Sequence, residues 1–274
     1  MAVNDHNRNP VVRSASYILR SPMKLTDLRW PDIAALGKDT PVVFPLAALE
    51  QHGHHMPLFT DSLLCGEVVR RLEERLGERV LVAPLLWLGN SDHHLDFAGT
   101  LSSPPRVYLD VLNAMIDNFV MHGFRRLVFL NGHGGNHVPG EQAVFEARQR
   151  YRQRRDLLLL FATYWLLGSH PQQSDATLVQ SQMGHACEWE TSMMLRLRPD
   201  LVGEVSTLAA VEFGNAFSPA SRGWITKDRT APGHIGEPRH ATAEKGERLF
   251  QVFADDAVKM LERVLAWDGE SWNG

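Results

Sequence analysis

The feature that most constrains the fold is a set of short apolar runs without polar alternation, separated by amphipathic helical patterns. Four such runs stand out, at Pro41–Leu49, Val80–Leu88, Leu127–Leu130 and Leu157–Trp165. A strand that is apolar on both faces is typical of a mostly parallel sheet covered by helices on both sides. The sequence therefore predicts an α/β fold with a mostly parallel central sheet.

The intervening segments carry the helical patterns that such a sheet needs. Helices are predicted at Asp61–Leu76, Pro104–His122, His137–Arg154, Ala186–Leu197 and Thr242–Trp267. Thr60 is predicted to cap the first of them, because threonine hydroxyls accept hydrogen bonds from the free N–H groups at a helix start. The Gly/Pro-rich stretch from Val202 to His240 is the least regular part and is predicted to be a lid or an oligomer contact.

Length and composition favour a single domain. The chain has 274 residues, 44% hydrophobic and 22% charged, which is usual for a globular protein with a substantial core. No internal repeat or linker-like change of composition divides it. We predict an N-terminal arm over residues 1–25, either flexible or strapped across a neighbouring subunit, and one domain over residues 26–274.

Charge and cysteine usage exclude several classes of protein. A net charge of −4 gives no reason to expect a nucleic acid or an acidic membrane as partner. No apolar run approaches the length of a transmembrane helix, and the N-terminus lacks the apolar segment of a secretory signal. Cys65 and Cys187 have no C-x-x-C spacing, which argues against a disulfide framework or a thiolate zinc site. We therefore expect a cytoplasmic protein.

A dense cluster of metal-ligand residue types follows the first apolar run. Glu50 and His52 are two residues apart, so in an extended segment both side chains point the same way. Asp61 lies on the apolar face of the first helix, where an unpaired carboxylate would be costly. Imidazole nitrogens and carboxylate oxygens are the ligands that a divalent cation such as zinc, manganese or iron accepts. The alternative for Asp61 is a charge at a helix start without a metal.

A glycine-rich loop, Asn131–His137, follows the third apolar run. Its glycines permit a tight turn and close backbone approach, which would let His133 point into the same site. The spacing matches neither the dinucleotide-binding fingerprint nor the phosphate-binding P-loop, so a phosphate-binding loop is the weaker alternative.

A third cluster occupies Gly184–Ser192. On a helical wheel, Glu190 sits near the centre of the apolar arc and is predicted to be buried and functional, whereas Glu188 points to the other side and is predicted to be solvated. His185 precedes the helix, where it is free to act as a ligand or a base; a hydrogen-bonded cap is its alternative role. His185 and Glu190 are therefore candidate catalytic residues.

These motifs follow predicted strands, and in a parallel sheet ligands bind at the carboxyl ends of the strands. The loop Gly89–His94 adds Ser91 and His94 as candidate substrate-binding residues. No G-x-S-x-G elbow surrounds Ser91, which argues against a serine hydrolase. Trp165 ends the fourth run and is predicted to line a pocket or to pack in the core.

Taken together, four blocks resemble the creatininase (creatinine amidohydrolase) family. The resemblance implies a three-layer α/β/α sandwich, two divalent metal ions, hydrolysis of a non-peptide C–N bond in a small-molecule amide, and a homo-oligomer, commonly a hexamer. The matching blocks are LAALEQHGHHMPLFTD (Leu46–Asp61), GNSDHHLDFAGTLS (Gly89–Ser102), NGHGGN (Asn131–Asn136) and GHACEWETSMMLRLRPDLV (Gly184–Val202).

The resemblance also implies roles for individual residues. Glu50, Asp61 and His133 would bind one metal, and His52 would bind the other, with Asp61 bridging the two. His185 matches the family's proton-transfer histidine, and Ser91 matches a serine that contacts the substrate.

Two departures from the family pattern separate this chain from true creatininases. Gly134 and Gly135 stand where those enzymes carry a substrate-contacting tyrosine and a metal-binding glutamate, and the tryptophan expected shortly before His185 is missing. We hypothesise that Glu190 completes the second metal's ligand set, and that Gly134 borders the substrate.

The sequence thus predicts a metal-dependent amidohydrolase acting on a cyclic amide or formamide other than creatinine. The NGHGGN form resembles that of members acting on other amides, such as a formamidopyrimidine nucleotide deformylase or the peptide-trimming enzyme of the mycofactocin pathway. Three alternatives stay open: a hydrolase of sugar or inositol derivatives, a peptide-trimming enzyme, and a catalytically silent metal-binding homologue.

Overall fold

A five-stranded, fully parallel sheet forms the centre of the protein. The computed structural model describes residues 22–272. The strands are β1 (Met23–Lys24), β2 (Val42–Leu46), β3 (Leu81–Val82), β4 (Arg126–Asn131) and β5 (Leu158–Thr163), in the order β1-β3-β2-β4-β5. The predicted parallel sheet is confirmed.

Helices cover both faces of this sheet. Those described are α1 (Trp30–Ala35), α2 (Thr60–Leu76), α3 (Pro105–Met121), α4 (His137–Arg150), α5 (Pro171–Ser174), α6 (Glu188–Leu197) and α7 (Ala243–Ala266). Helices α2, α6 and α7 share one core with Val43 and Val128, while α3 and α4 share the other with Phe44 and Phe129. The three-layer α/β/α architecture is therefore confirmed.

The apolar runs without alternation are explained by this double coverage. Every residue of β2 is buried, with Val42 and Phe44 packed in one core and Val43 packed in the other. Burying an aliphatic or aromatic side chain of this size contributes about 1.5–3 kcal/mol, so both faces favour apolar residues.

Several predicted boundaries are wrong. Thr60 does not cap α2; it is the first helical residue, and its hydroxyl donates to the Pro57 carbonyl. The run Val80–Leu88 forms only the short strand β3; pairing with β2 is interrupted at Pro84 and resumes as a single bridge between Leu86 and Leu46. Helix α4 ends at Arg150 rather than Arg154.

The first segment of the chain was also divided differently from the prediction. Residues 23 and 24, assigned to the arm, pair with Leu81 and Val82 as the edge strand β1, and the short helix α1 was not anticipated. The rest of the predicted arm, residues 1–21, lies outside the described residues.

None of the helices described within residues 22–272 has the length and apolar composition needed to cross a membrane. The Val202–His240 stretch contains only short 3-10 turns, at Thr226–Asp228 and Pro238–His240, as its composition predicted.

Candidate metal centre

The predicted metal-ligand residues meet at one edge of the sheet. Glu50 lies in the segment after β2, and His133 lies directly beyond β4, so the carboxyl ends of neighbouring parallel strands place them side by side. Asp61 enters from the first turn of α2, and Glu190 enters from the first turn of α6. All four side chains are buried, as is His52.

Asp61 is the centre of this cluster. Its Oδ1 lies 3.1 Å from His52 Nε2, and its Oδ2 lies 2.9 Å from His133 Nδ1. Glu50 Oε1 lies 3.4 Å from the same His133 nitrogen. Glu190 Oε1 lies 4.0 Å from His52 Nε2, on the other side of Asp61. One carboxylate therefore faces two imidazoles, each with a second carboxylate nearby.

Backbone carbonyls set the tautomers of the two imidazoles. His52 Nδ1 lies 3.0 Å from the Glu50 carbonyl, and His133 Nε2 lies 2.9 Å from the Asn90 carbonyl. Because a carbonyl only accepts, these nitrogens carry the hydrogens, and in a neutral ring the opposite nitrogen presents its lone pair to Asp61. Such second interactions typically orient metal-binding histidines.

The carboxylates leave oxygen atoms without partners. Glu50 Oε2 and Glu190 Oε2 are buried and accept no hydrogen bond within the described part of the chain. A buried anionic oxygen without a partner is costly unless a proton or a cation compensates it. Imidazole nitrogens that face carboxylate oxygens, beside further carboxylate oxygens without partners, form an arrangement that a divalent cation fits.

The pKa values of the ionisable side chains in the cluster differ from their ordinary values. Burial, the largest single influence, would lower the pKa of His52, but the charges of Asp61, Glu190 and Glu50 together with the hydrogen bond to Asp61 outweigh it and raise this pKa to about 9. Burial raises the pKa of Glu190 to about 7. Burial also opposes ionisation of Glu50, yet the adjacent His133 and His94 hold its pKa well below its ordinary value. These displacements show that the side chains interact strongly at short range.

Glu190 and Glu188 differ from each other in an informative way. Glu190 is buried in the cluster, as its place on the helical wheel predicted. The prediction that Glu188 is solvated is wrong: it is fully buried, accepts from the backbone N–H groups of Val179 and Gln180, and pairs with Lys245 Nζ at 2.6 Å. Lys245 comes from α7, far along the chain, so the wheel of α6 alone could not reveal it.

His185 lies at the border between the cluster and the cavity. Its backbone pairs with Ile235, and its Nδ1 lies 3.5 Å from Glu50 Oε1. Burial, followed by the nearby His52, lowers the pKa of His185 to about 3. The next residue, Ala186, adopts φ of 49°, a left-handed conformation that costs a non-glycine residue free energy and is often found at functional sites.

The loop after β3 supplies the other two polar residues predicted for substrate binding. Ser91 is fully buried, and its hydroxyl lies 3.3 Å from His133 Nε2. His94 is also buried, with Nε2 3.4 Å from Glu50 Oε1. Burial, opposed by Glu50, lowers the pKa of His94 to about 2.

A cavity of about 830 Å³ opens onto the cluster. Gly134 and Trp165 line it, and Trp165 also packs against the core, so both roles considered for this tryptophan apply. The irregular stretch contributes Arg222, Trp224 and Arg229 to the opposite wall.

The two loop glycines face different surroundings. A Cβ at Gly134 would meet no heavy atom within 4 Å, so this position is open space. A Cβ at Gly135 would lie 2.0 Å from the Asn90 carbonyl oxygen and 2.6 Å from His133 Nε2, so a larger residue there requires the loop to move.

Three overlapping groups of side chains could each hold a cation. In each group the potential ligand atoms lie within 4.8 Å of one another: Glu50 with His52 and Asp61, His52 with His185 and Glu190, and Glu50 with His94 and His185. His133 approaches Asp61 and Glu50 directly. The structure thus brings every predicted ligand together and adds His94 and His185 to the residues within coordinating reach.

Sequence reasoning missed three residues of the site. Gln51 and Thr226 both contact His94, and the Gly233 carbonyl accepts a hydrogen bond from Gln51. Gln51 could have been suspected, because it lies between two predicted ligands. Thr226 and Gly233 belong to the irregular stretch, which carries no periodicity that indicates their position.

Comparison with known proteins agrees with this geometry. The sequence model of the creatininase family, described as creatinine amidohydrolase, matches residues 26–261. The chain is 32% identical over 241 residues to the creatinine amidohydrolase of Pseudomonas putida, an alignment that covers 82% of this chain and 91% of that protein. It is also 32% identical over 268 residues to the mycofactocin precursor peptide peptidase of Mycobacterium ulcerans (strain Agy99), covering 94% of each.

A more distant relative is the 3-dehydro-scyllo-inosose hydrolase of Thermotoga maritima, 25% identical over 162 residues, which cover 59% of this chain and 51% of that protein. Among solved structures, a mutant creatininase of the Zn–Zn type aligns with a TM-score of 0.74 at 29% identity, covering 88% of this chain and 97% of its own. A manganese creatininase aligns with a TM-score of 0.74 at 29% identity, covering 89% and 98%. Since the family match spans residues 26–261 of the 274, the chain belongs to the creatininase family of hydrolases.

Proposed function

We propose that this chain is a metal-dependent amidohydrolase that cleaves a non-peptide C–N bond, in a cyclic amide or a formamide, of a small molecule. The observation that carries the proposal is the position of Asp61, whose two oxygens each face a ring nitrogen of a different imidazole, on His52 and on His133. A carboxylate in that position is suited to bridge two cations.

The side chains divide into two ligand sets. Glu50, Asp61 and His133 would hold one divalent cation, and His52, Asp61 and Glu190 would hold the other. Nitrogen and oxygen ligands accept zinc, manganese or iron. When bound, such a pair of cations would supply Lewis-acid chemistry, making water acidic enough to attack at neutral pH and polarising a carbonyl oxygen.

Glu190 is proposed as a ligand because position 135 cannot supply one. By the family resemblance, Gly135 stands where true creatininases carry a metal-binding glutamate, and its surroundings leave no room for a Cβ. Glu190 Oε1 lies 4.0 Å from His52 Nε2, and Glu190 Oε2 is buried without a hydrogen-bond partner in the described part of the chain, which supports Glu190 as the replacement ligand.

The remaining residues handle the proton and the substrate. His185 lies within reach of Glu50 and borders the cavity, so it is placed to take a proton from the attacking water and return it to the leaving nitrogen. Ser91 and His94 offer hydrogen bonds beside the cluster, while Gly134 and Trp165 shape the cavity that receives the substrate.

A second candidate function is trimming of a peptide. It is favoured by the size of the cavity, which at about 830 Å³ exceeds the needs of a single small ring, and by the relative that acts on the mycofactocin precursor peptide. Arg222 and Arg229 line the outer wall of the cavity and would attract the terminal carboxylate of a peptide.

The assembly and the location complete the proposal. We propose a homo-oligomer, a hexamer by the family resemblance, and, from the charge, cysteine usage and hydropathy of the chain, a cytoplasmic location without a nucleic-acid or membrane partner. Hydrolysis of a sugar or inositol derivative and a silent metal-binding role are the remaining alternatives.

The test is a substrate screen on protein stripped with a chelator and reloaded with zinc, manganese or iron. The panel contains cyclic amides, formamides, short peptides with free C-termini, and lactones of sugar or inositol type. We expect turnover of an amide that depends on metal, and loss of that turnover in His185→Ala with the metals still bound. Two bound metals with no turnover of any class would favour the silent homologue, and near-normal activity of His185→Ala would refute the proton-transfer role.

A further inference from the structure

Gln51 connects the two histidines that border the cavity. It is buried between the candidate ligands Glu50 and His52, yet its side chain is directed away from the metal cluster. Its carboxamide contacts His94, His185 and the backbone of Gly53 and Gly233. Its amide hydrogens therefore restrict the tautomer of His94, while its backbone carbonyl restricts that of His185.

The orientation of the carboxamide is fixed by the backbone. The Gly53 N–H donates to Gln51 Oε1 at 2.8 Å, and Gln51 Nε2 lies 2.8 Å from the Gly233 carbonyl oxygen. Two further atoms lie close to the same Nε2, His94 Nδ1 at 2.8 Å and His185 Nε2 at 3.0 Å. An amide NH₂ has two hydrogens, and the Gly233 carbonyl takes one, so only one remains for the two rings.

The remaining hydrogen goes to His94. His185 Nε2 lies 2.7 Å from the backbone carbonyl oxygen of Gln51, and because a carbonyl only accepts, this nitrogen carries a hydrogen of its own. It cannot also accept from the amide, which leaves His94 Nδ1 as the acceptor. The Thr226 hydroxyl, 2.8 Å from His94 Nδ1, then acts as a second donor, since a hydrogen on Nδ1 would meet the amide hydrogen head-on.

The two rings thus present different groups to the Glu50 carboxylate, a lone pair from His185 and an N–H from His94. His185, with its hydrogen on Nε2, turns a bare Nδ1 toward Glu50 Oε1 at 3.5 Å. His94, also with its hydrogen on Nε2, turns that N–H toward Glu50 Oε1 at 3.4 Å. One imidazole offers an acceptor to the reaction site and the other offers a donor.

We propose that Gln51 is a positioning residue that holds His94 and His185 in complementary roles, as hydrogen-bond donor and as base. This inference rests on the proposed amide hydrolysis. His185 Nδ1 takes the proton of the attacking water as the new C–O bond forms, and then delivers that proton to the nitrogen as the C–N bond breaks. The His94 N–H donates a hydrogen bond to the substrate oxygen, on which negative charge develops.

The tautomers are measurable without turnover. Metal-free protein labelled with ¹⁵N-histidine is examined by long-range ¹H–¹⁵N NMR at pH 8, with the two rings assigned from His94→Gln and His185→Gln. We expect the Nε2–H tautomer for both rings in the wild-type protein. A His94 ring with its hydrogen on Nδ1, or a His185 ring without one on Nε2, overturns the proposal.

Two variants distinguish the effect of the Gln51 side chain on the His94 tautomer from the effect of the Thr226 hydroxyl. In Gln51→Leu we expect His94 to shift toward the Nδ1–H tautomer, donating to Thr226, while His185 keeps its hydrogen on Nε2 because the backbone carbonyl remains. In Thr226→Val we expect His94 to keep the wild-type tautomer. If the His94 tautomer changes in Thr226→Val and stays the same in Gln51→Leu, the assignment is wrong.

Kinetics on the metal-loaded protein then test the consequence. Once a substrate is found, Gln51→Leu is expected to lower kcat by about 10²-fold with KM little changed, because the groups act on the transition state rather than on binding. An unchanged kcat would overturn the positioning role. Expected tautomers in a protein that hydrolyses no amide would refute the proposed function and leave the hydrogen-bond network standing, so the two failures are distinguishable.

Discussion

His133 Nδ1 lies 2.9 Å from Asp61 Oδ2, with the far side of the ring fixed by the Asn90 carbonyl. The contact joins the end of strand β4 to the first turn of helix α2, two elements that meet only when the sheet and its helical layer have assembled. At this distance the nitrogen and the oxygen can share a proton or hold one cation between them.

Replacing the bridging carboxylate tests this relationship. Asp61→Asn is expected to lower the bound metal from two ions to fewer than one per chain, because both proposed sites lose an anionic ligand. Metal content after reconstitution is measured by plasma mass spectrometry. Asp256→Asn is the matched control: this buried carboxylate of α7 bonds to Ser169, away from the cluster, and the variant should keep both ions. Full occupancy in Asp61→Asn would contradict a bridging role.

Two glutamates of helix α6 form a second matched pair. Glu190→Gln is expected to lose one of the two ions while the metal-free fold keeps its stability. Glu188→Gln is expected to keep both ions but to lose about 3–5 kcal/mol of unfolding free energy, because Lys245 is left buried without its counter-charge. Metal analysis and urea denaturation read the two effects separately. Two fully bound ions in Glu190→Gln would remove Glu190 from the ligand set.

The loop glycines make a third comparison. Gly134→Ala should fold and bind metal like the wild-type protein, since its Cβ enters open cavity space. Gly135→Ala should lower the unfolding free energy by about 1–3 kcal/mol and weaken metal binding, because its Cβ displaces Asn90 and, through it, His133. Equal behaviour of the two variants in denaturation and metal titration would show that the loop yields freely.

The pH dependence of stability offers a fourth test, at a histidine that is not itself a proposed metal ligand. Burial, with the nearby His234 and His52, lowers the pKa of His55 to about 4. A histidine whose folded pKa lies below its unfolded value of about 6.5 binds fewer protons when folded; its contribution is complete above that pH and is lost as the pH falls toward 4.

Metal-free His55→Gln should therefore show a smaller loss of stability on acidification. Between pH 6.5 and pH 4, the slope of unfolding free energy against pH should decrease by about one proton, or about 1.4 kcal/mol per pH unit. Urea denaturation across this range gives the slope, and the half-exposed His137 provides the control variant His137→Gln. An unchanged slope in His55→Gln would show that this ring does not stay neutral in the fold.

Local patterns were enough to predict the part of the site that is held by regular structure. Glu50 and His52 follow a buried strand, and Asp61 and Glu190 lie on apolar helix faces, so periodicity alone indicated that they are buried. The resemblance to a family added the proposal that Asp61 is shared by two cations, which no local pattern could indicate.

The errors have a common physical origin in partners that are distant in sequence. Glu188 was assigned to solvent because the wheel of α6 contains no trace of Lys245. Thr226 contacts His94, and Gly233 contacts Gln51, from the irregular stretch. No helical or strand repeat in that stretch indicates where a side chain points. Strand β3 is shorter than its apolar run because Pro84, which has no N–H to donate, interrupts the pairing that a single bridge between Leu86 and Leu46 resumes.

The scattered origin of the ligands has a consequence for how the enzyme would mature. Glu50, Asp61, His133 and Glu190 come from four separate segments, so no fragment of the chain presents a complete set. The cations would then bind late, after the chain has folded. Refolding in the presence of a chelator should therefore yield a folded, metal-free protein that binds metal when it is added afterwards.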